Sequence, residues 1–151
     1  MKAGPEYSKT QIGLFHHVCY GAGILLLAFA WWNRHDAIPA LILLGVAVLL
    51  FPASLMFRSL TVRDEGDSLS IRYGPIPLLG TRIPYSKITS VGPDRTRIID
   101  GWGIHYIPWR GTTYNLWGFS CAKLTLGKRI IRIGSDDVDN LVAFLRSRIK
   151  S

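Results

Sequence analysis

Two stretches of this chain, residues 12–32 and 37–57, contain no Lys, Arg, Asp or Glu, and only Asn33, Arg34, His35 and Asp36 separate them. An α-helix rises about 1.5 Å per residue, so roughly 20 apolar residues cross a hydrocarbon layer about 30 Å thick. Both stretches meet that length. The connection is too short for a translocated domain and long enough to turn a helical hairpin. A cleaved signal peptide would need a shorter apolar run followed by a small-residue cleavage site. The first run instead closes on Trp31 and Trp32. Indole rings combine an apolar body with a polar N–H and suit the headgroup layer, so this pair is read as membrane-interface anchors.

Two spans return the chain to its starting side. Lys2 and Lys9 precede the first, and Arg58, Arg63 and Arg72 follow the second, whereas the turn offers Arg34 offset by Asp36. The positive-inside rule then places both termini in the cytoplasm of a multi-pass inner-membrane protein. The organisation expected is a cytoplasmic N-terminal segment (1–11), a transmembrane hairpin (12–57, spans 12–32 and 37–57) and a cytoplasmic domain (58–151). Gly21, Ala22 and Gly23 in the first span, with Gly45 and Ala47 in the second, permit close helix approach. His16 and His17 lie about one turn inside the first span and are read as interfacial groups, the alternative being a proton path. A transporter would also want deep polar groups, and the spans offer only Cys19 and Ser54.

From Ser59 onward the apolar residues change to short alternating runs punctuated by turn residues, the pattern of a small β domain. Leu60 to Arg63 and Leu69 to Tyr73 flank the turn Asp64-Glu65-Gly66-Asp67, a β-hairpin. Gly74-Pro75-Ile76-Pro77 breaks the pattern, Leu79 to Ile83 resumes it, and Pro84 to Ile88 suits a short helical turn. Gly92-Pro93-Asp94 reads as punctuation. Further strands are expected at Thr96 to Ile99, Ile104 to Ile107, Thr113 to Leu116, Lys123 to Leu126 and Arg129 to Ile133, the last two joined at Gly127-Lys128. About seven strands result. Ser135-Asp136-Asp137 then caps a helix whose Val138, Leu141, Val142, Leu145 and Ile149 share one face, with Arg146, Arg148 and Lys150 in its last turns.

The order and spacing of Leu60-Thr61-Val62, Ile71-Arg72-Tyr73-Gly74, Arg82-Ile83-Pro84, Ile88-Thr89-Ser90-Val91, Gly101-Trp102-Gly103-Ile104 and Ile131 to Asp137 resemble bacterial membrane proteins that carry a pleckstrin-homology-like domain beside a transmembrane hairpin. The resemblance is most specific over residues 59–150. It implies antiparallel strands in two roughly orthogonal sheets capped by one C-terminal helix, and binding or scaffolding instead of catalysis.

Phosphoinositide-binding members of that wider fold place cations around the first β-turn, because clustered phosphates need several. Here the turn carries Asp64, Glu65 and Asp67, so phosphoinositide binding is not expected. Gly101 to Phe119 is rich in aromatic residues. Its functional readings are a partner interface and a membrane-facing rim; the alternative is that strand alternation sends Trp102, Ile104 and Tyr106 to one face and builds a core. Trp109, Arg110, Trp117 and Phe119 flank turn signals and are the candidates for a partner interface, since Trp, Tyr and Arg dominate binding hot spots.

The net charge is +8, most of the excess lying in residues 58–151, and Arg58 and Arg63 are the candidate contacts to anionic lipid. No nucleic-acid motif accompanies that charge. Cys19 and Cys121 make neither a disulfide framework nor a zinc site. Catalysis would have to be assembled from Ser120 or Cys121 with His105 and Asp100, without a nucleophile elbow, phosphate loop or paired carboxylates, and no cofactor is expected. The expected function is a non-catalytic scaffold whose domain binds a protein partner or its own copies. Alternatives are an anionic-lipid or peptide sensor using the basic face and, behind it, a transport accessory subunit.

Overall fold

The computed structural model describes residues 6–75 and 78–149. Lys2, Ile76, Pro77 and Lys150, invoked above, lie outside the described residues. The chain begins with a strand, β1 (Ser8–Ile12), and passes at once into the long helices α1 (Phe15–Trp32) and α2 (Ala37–Met56). Both are long and apolar enough to cross a membrane. Ile24, Leu25, Phe29, Ile38, Leu41 and Leu49 are among many exposed apolar side chains on them. A water-soluble bundle would bury such residues, whereas lipid accepts them. Of the small residues, Gly23 lies against the Phe51 ring and Ala47 is fully buried, while Gly21 and Gly45 face open space.

Strands β2 (Ser59–Asp64), β3 (Ser68–Tyr73) and β4 (Leu79–Pro84) complete an antiparallel sheet in the order β1-β2-β3-β4. A short 3-10 turn at Tyr85–Lys87 leads to β5 (Ser90–Arg95), and a second at Ile98–Asp100 leads to β6 (Gly103–Ile107), β7 (Gly111–Asn115), β8 (Ser120–Leu126) and β9 (Arg129–Gly134). These five strands form the second sheet in the order β5-β8-β9-β7-β6. Helix α3 (Val138–Ile149) closes the chain, with Leu141, Val142 and Leu145 buried. Leu60, Ile71 and Tyr73 of the first sheet join Leu124 and Ile133 of the second in one core. The Tyr73 hydroxyl lies within hydrogen-bond distance of the carbonyls of Gly103 (3.0 Å) and Asn115 (3.1 Å), which ties the sheets together.

A helical hairpin joined to a two-sheet β domain with a C-terminal helix agrees with the expectation, but the details differ in instructive places. Nine strands are present among the described residues. Residues 8–11, read above as part of the N-terminal segment, and Ile12, read as the start of the first span, pair with β2 from Ser8↔Arg63 to Ile12↔Ser59. The hairpin is therefore an insertion between two neighbouring strands. Ser90–Arg95 is a strand although it contains Gly92-Pro93, because β5 is a sheet edge and Pro93 needs no N–H on that side. Thr96 to Ile99 is not a strand; the chain there turns to bury Asp100. One pair, β7 with β9, is parallel, so the domain is not wholly antiparallel.

The junction between helices and domain is short and packed. Only Gly13 and Leu14 separate β1 from α1, and only Phe57 and Arg58 separate α2 from β2. Gly13 N–H donates to Arg58 O at 3.0 Å. The His16 ring Nδ1 donates to Gly13 O at 2.6 Å, so this buried histidine pins the strand-to-helix turn. Gln11 Nε2 reaches Gly134 O at 2.8 Å, fixing the same junction to the second sheet.

Candidate functional site

Four side chains were singled out for an interface, and the fold sends them to two different ends of the domain. Trp109 and Arg110 sit in the β6–β7 turn, which Arg110 N–H closes on Ile107 O at 2.9 Å. Gly111 follows with φ +91°, and a Cβ there would run into the Ile130 carbonyl. Only glycine lets β7 lie so close to β9 at this point. Arg110 turns inward: its Nε and Nη2 donate to the two carboxylate oxygens of Asp100, each at 2.6 Å. Its side chain is only 16% exposed. Arg110 is therefore a strut under the turn, and its guanidinium is not on offer to a partner.

Asp100 also accepts the Arg97 N–H at 2.6 Å. The Arg110 hydrogen bonds hold its carboxyl below the usual range, against the opposing effect of burial. Arg132 braces the same assembly, donating to Asp94 Oδ2 at 2.9 Å and to the Arg110 carbonyl. Cys121 lies nearby, and burial, with Asp94 adding to it, pushes its thiol up to about 12. It stays a protonated thiol at neutral pH. Of the four residues named for a catalytic group, Asp100 is paired with Arg110 and Cys121 is buried, while Ser120 and His105 are exposed.

Trp109 has no such tie and is 77% exposed. It lines a cleft of about 510 Å³ together with Thr81, Tyr106, Tyr114, Lys128 and Arg129. Two features of this cleft matter. First, Thr81 belongs to β4 and Tyr106 to β6, so the cleft, which runs across β6, β7 and β9, reaches an outer strand of each sheet. Second, none of its lining residues is acidic, and neither Lys128 nor Arg129 joins an ion pair among the described residues. Aromatic faces, two cations and outer strands meet in one place.

The core alternative for Trp102, Ile104 and Tyr106 does not hold: all three are exposed, Tyr106 at 70%. The physical reason is the strand's place: β6 is the outermost strand of its sheet and is paired on one side only, with β7. A basic turn at Lys128-Arg129 was visible in the sequence. Its approach to Trp109 was not, because it depends on the parallel β7–β9 pair.

Trp117 and Phe119 line a different cleft, of about 420 Å³, beside Asp94, Arg95, Asp136 and Asp139. Its charge is mixed, and Asp94 and Asp136 are paired to Arg132 and Lys9. Of the lipid candidates, Arg58 is exposed at the helix junction. Arg63 is exposed too, but five residues of strand carry it roughly 17 Å farther from the hairpin. Trp31 and Trp32 are exposed at the far end of α1, where the Arg34 guanidinium stands 5.0 Å from the Trp31 ring centroid.

The acidic β2–β3 turn lies at the end of the sheet away from the helices, and two of its three carboxylates, Asp64 and Glu65, have partners. Asp64 accepts from the Tyr85 hydroxyl (2.7 Å), Gly66 N–H (3.0 Å) and Arg148 Nη2 (3.0 Å). Burial raises its carboxyl, and those bonds outweigh burial to leave it below the usual range. Glu65 pairs with Arg72 at 2.6 Å and Arg82 at 2.8 Å. No protein-family model matches the chain, and neither does any curated protein.

Proposed function

We propose that this protein is a non-catalytic binding module with a pleckstrin-homology-like domain, anchored by its helical hairpin at the cytoplasmic face of the inner membrane. Its docking site is the cleft of Tyr106, Trp109 and Tyr114, and its partner is an extended, acidic segment of another protein. The observation that carries this reading is the cleft itself: unpaired cations and exposed aromatic rings in a cleft that reaches an outer strand of each sheet. An edge offers main-chain hydrogen bonds to an incoming strand, while side-chain pockets supply selectivity. Lys128 and Arg129 select negative charge, and exposed Trp and Tyr give contact area at low entropic cost.

The orientation follows from the charges that flank the spans and is part of the proposal. Lys9 and Arg58 lie on the domain side of the hairpin, and Arg34 with Asp36 on the other.

The test uses the full-length protein in phosphatidylcholine nanodiscs and a fluorescein-labelled peptide of alternating Glu and Val, followed by anisotropy. Saturable binding is expected, with at least tenfold weakening in Trp109→Ser and in the double variant Lys128→Glu, Arg129→Glu. A peptide of alternating Lys and Val should not bind. Equal binding of both peptides, or unchanged binding by the variants, would refute the assignment.

A further inference from the structure

The end of the domain that meets the hairpin carries exposed apolar residues that the cleft does not use. Three loops touch the helix junction directly. Gly74, after β3, sits against the backbone of α2: a Cβ there would lie 2.8 Å from Leu55 O and 2.9 Å from Met56 O. Gly103, at the start of β6, has the Phe57 ring where its Cβ would point, 3.2 Å away. Leu116, after β7, fills the space beside Gly13, between β1 and α1.

Each of these loops displays a large apolar side chain within four residues of its contact: Leu78 (74% exposed), Trp102 (57%) and Trp117 (52%). Ile12 and Leu14, on the chain entering α1, are exposed as well. Large exposed apolar side chains gathered at one end of a domain have a cost in water and point to a contact site.

We infer that Leu78, Trp102 and Trp117 form a rim that inserts into the headgroup and upper acyl region of the same bilayer the hairpin crosses. The surface is continuous with the hairpin, and linkers of two residues leave no spacer between the helix ends and the sheet. Helix α1, at 18 residues, rises about 27 Å, slightly less than the hydrocarbon thickness, which draws its ends and their surroundings into the interface. Two indoles and a leucine suit that layer, where Trp is enriched. Arg58 is the exposed cation at the junction, whereas Asp136 and Asp139 line the cleft beside Trp117. Insertion is therefore driven by the rings and not by attraction to anionic lipid. The consequence is a fixed tilt of the domain, with the Trp109 cleft held away from the membrane.

This inference rests on the hairpin spanning a bilayer, and its test separates the two. Full-length protein is reconstituted in phosphatidylcholine vesicles carrying a nitroxide high on the acyl chain, in three Trp-to-Phe sets. One retains Trp102 and Trp117, one Trp109, and one Trp31 and Trp32. Loss of emission from Trp102 and Trp117 is expected to be several-fold greater than from Trp109. Equal loss overturns the rim. Quenching of Trp31 and Trp32 without quenching of Trp102 and Trp117 overturns the rim alone, and absence of quenching in all three overturns the span with it. The unsubstituted protein gives a second readout: a phosphatidylcholine with a diazirine on its acyl chain should label Leu78, Trp102 and Trp117 and spare Trp109. Labelling confined to the helices contradicts the inference.

Discussion

Trp109 and Trp102 are both exposed tryptophans at the ends of one short strand, yet their surroundings differ in kind. Trp102 stands beside the helix junction, next to Gly103 and the Phe57 ring. Trp109 stands at the other end, in a cleft with Lys128 and Arg129 that also reaches the outer strands β4 and β6. Exposure alone does not distinguish a lipid contact from a protein contact; neighbours do. On the proposed reading, the ring near the helix exit faces hydrocarbon, and the ring near Lys128 and Arg129 faces a partner.

That comparison separates support from display, and substitutions should follow the division. The largest effect is expected at Arg110, which supports. Arg110→Ala leaves the Asp100 carboxylate buried without its partner and should cost about 3–5 kcal/mol in urea unfolding of the detergent-solubilised protein. Arg129→Ala, on display nearby, should stay within about 0.5 kcal/mol of the parent.

Acid should loosen the same support. The Asp64, Asp94 and Asp100 carboxyls are all held below their ordinary values: Asp100 mainly by Arg110, Asp64 and Asp94 by hydrogen bonds that exceed the effect of burial. A depressed carboxyl contributes stability that is present above its unfolded pKa of about 3.9 and is lost as pH falls through the folded value. Urea midpoints should therefore be level near neutrality and decline below about pH 4. A midpoint that rises on acidification would contradict the pairing.

At the display end, Trp109→Ser should change stability by about 1 kcal/mol or less while removing most of the acidic-peptide binding. If the domain unfolds instead, Trp109 belongs with the supports. The smallest expected effect is that of salt. Raising ionic strength from 0.1 to about 0.5 M shortens the screening length and should weaken peptide binding several-fold. It should leave lipid quenching of Trp102 and Trp117 unchanged. Strong salt sensitivity at the rim would turn that contact into an electrostatic one.

Much of the architecture can be read in the residues, and the exceptions have physical causes. The hairpin is legible because charge-free runs of that length have few other homes. Helix α3 is legible because Leu141, Val142 and Leu145 repeat at helical spacing. Strand β1 is not, since Ser8-Lys9-Thr10-Gln11-Ile12 has little apolar alternation and owes its form to pairing with β2, more than 45 residues away. Strand β5 is hidden by Gly92-Pro93, which only an edge position tolerates. At the site, Trp109 reads correctly as a turn residue on the surface. Arg110 beside it has the same local signals, and its inward path depends on Asp100 meeting it from another loop. Neighbours in sequence part company where tertiary contacts decide.

The central claim is that partner binding happens at the far cleft while the hairpin end is occupied by lipid. Hydrogen exchange of the full-length protein in phosphatidylcholine nanodiscs, with and without saturating Glu-Val peptide, addresses it directly. New protection is expected in β4, β6 and the Lys128-Arg129 turn, with Trp102 and Trp117 amides unchanged. Protection that appears at the hairpin end, or nowhere in the domain, would contradict it.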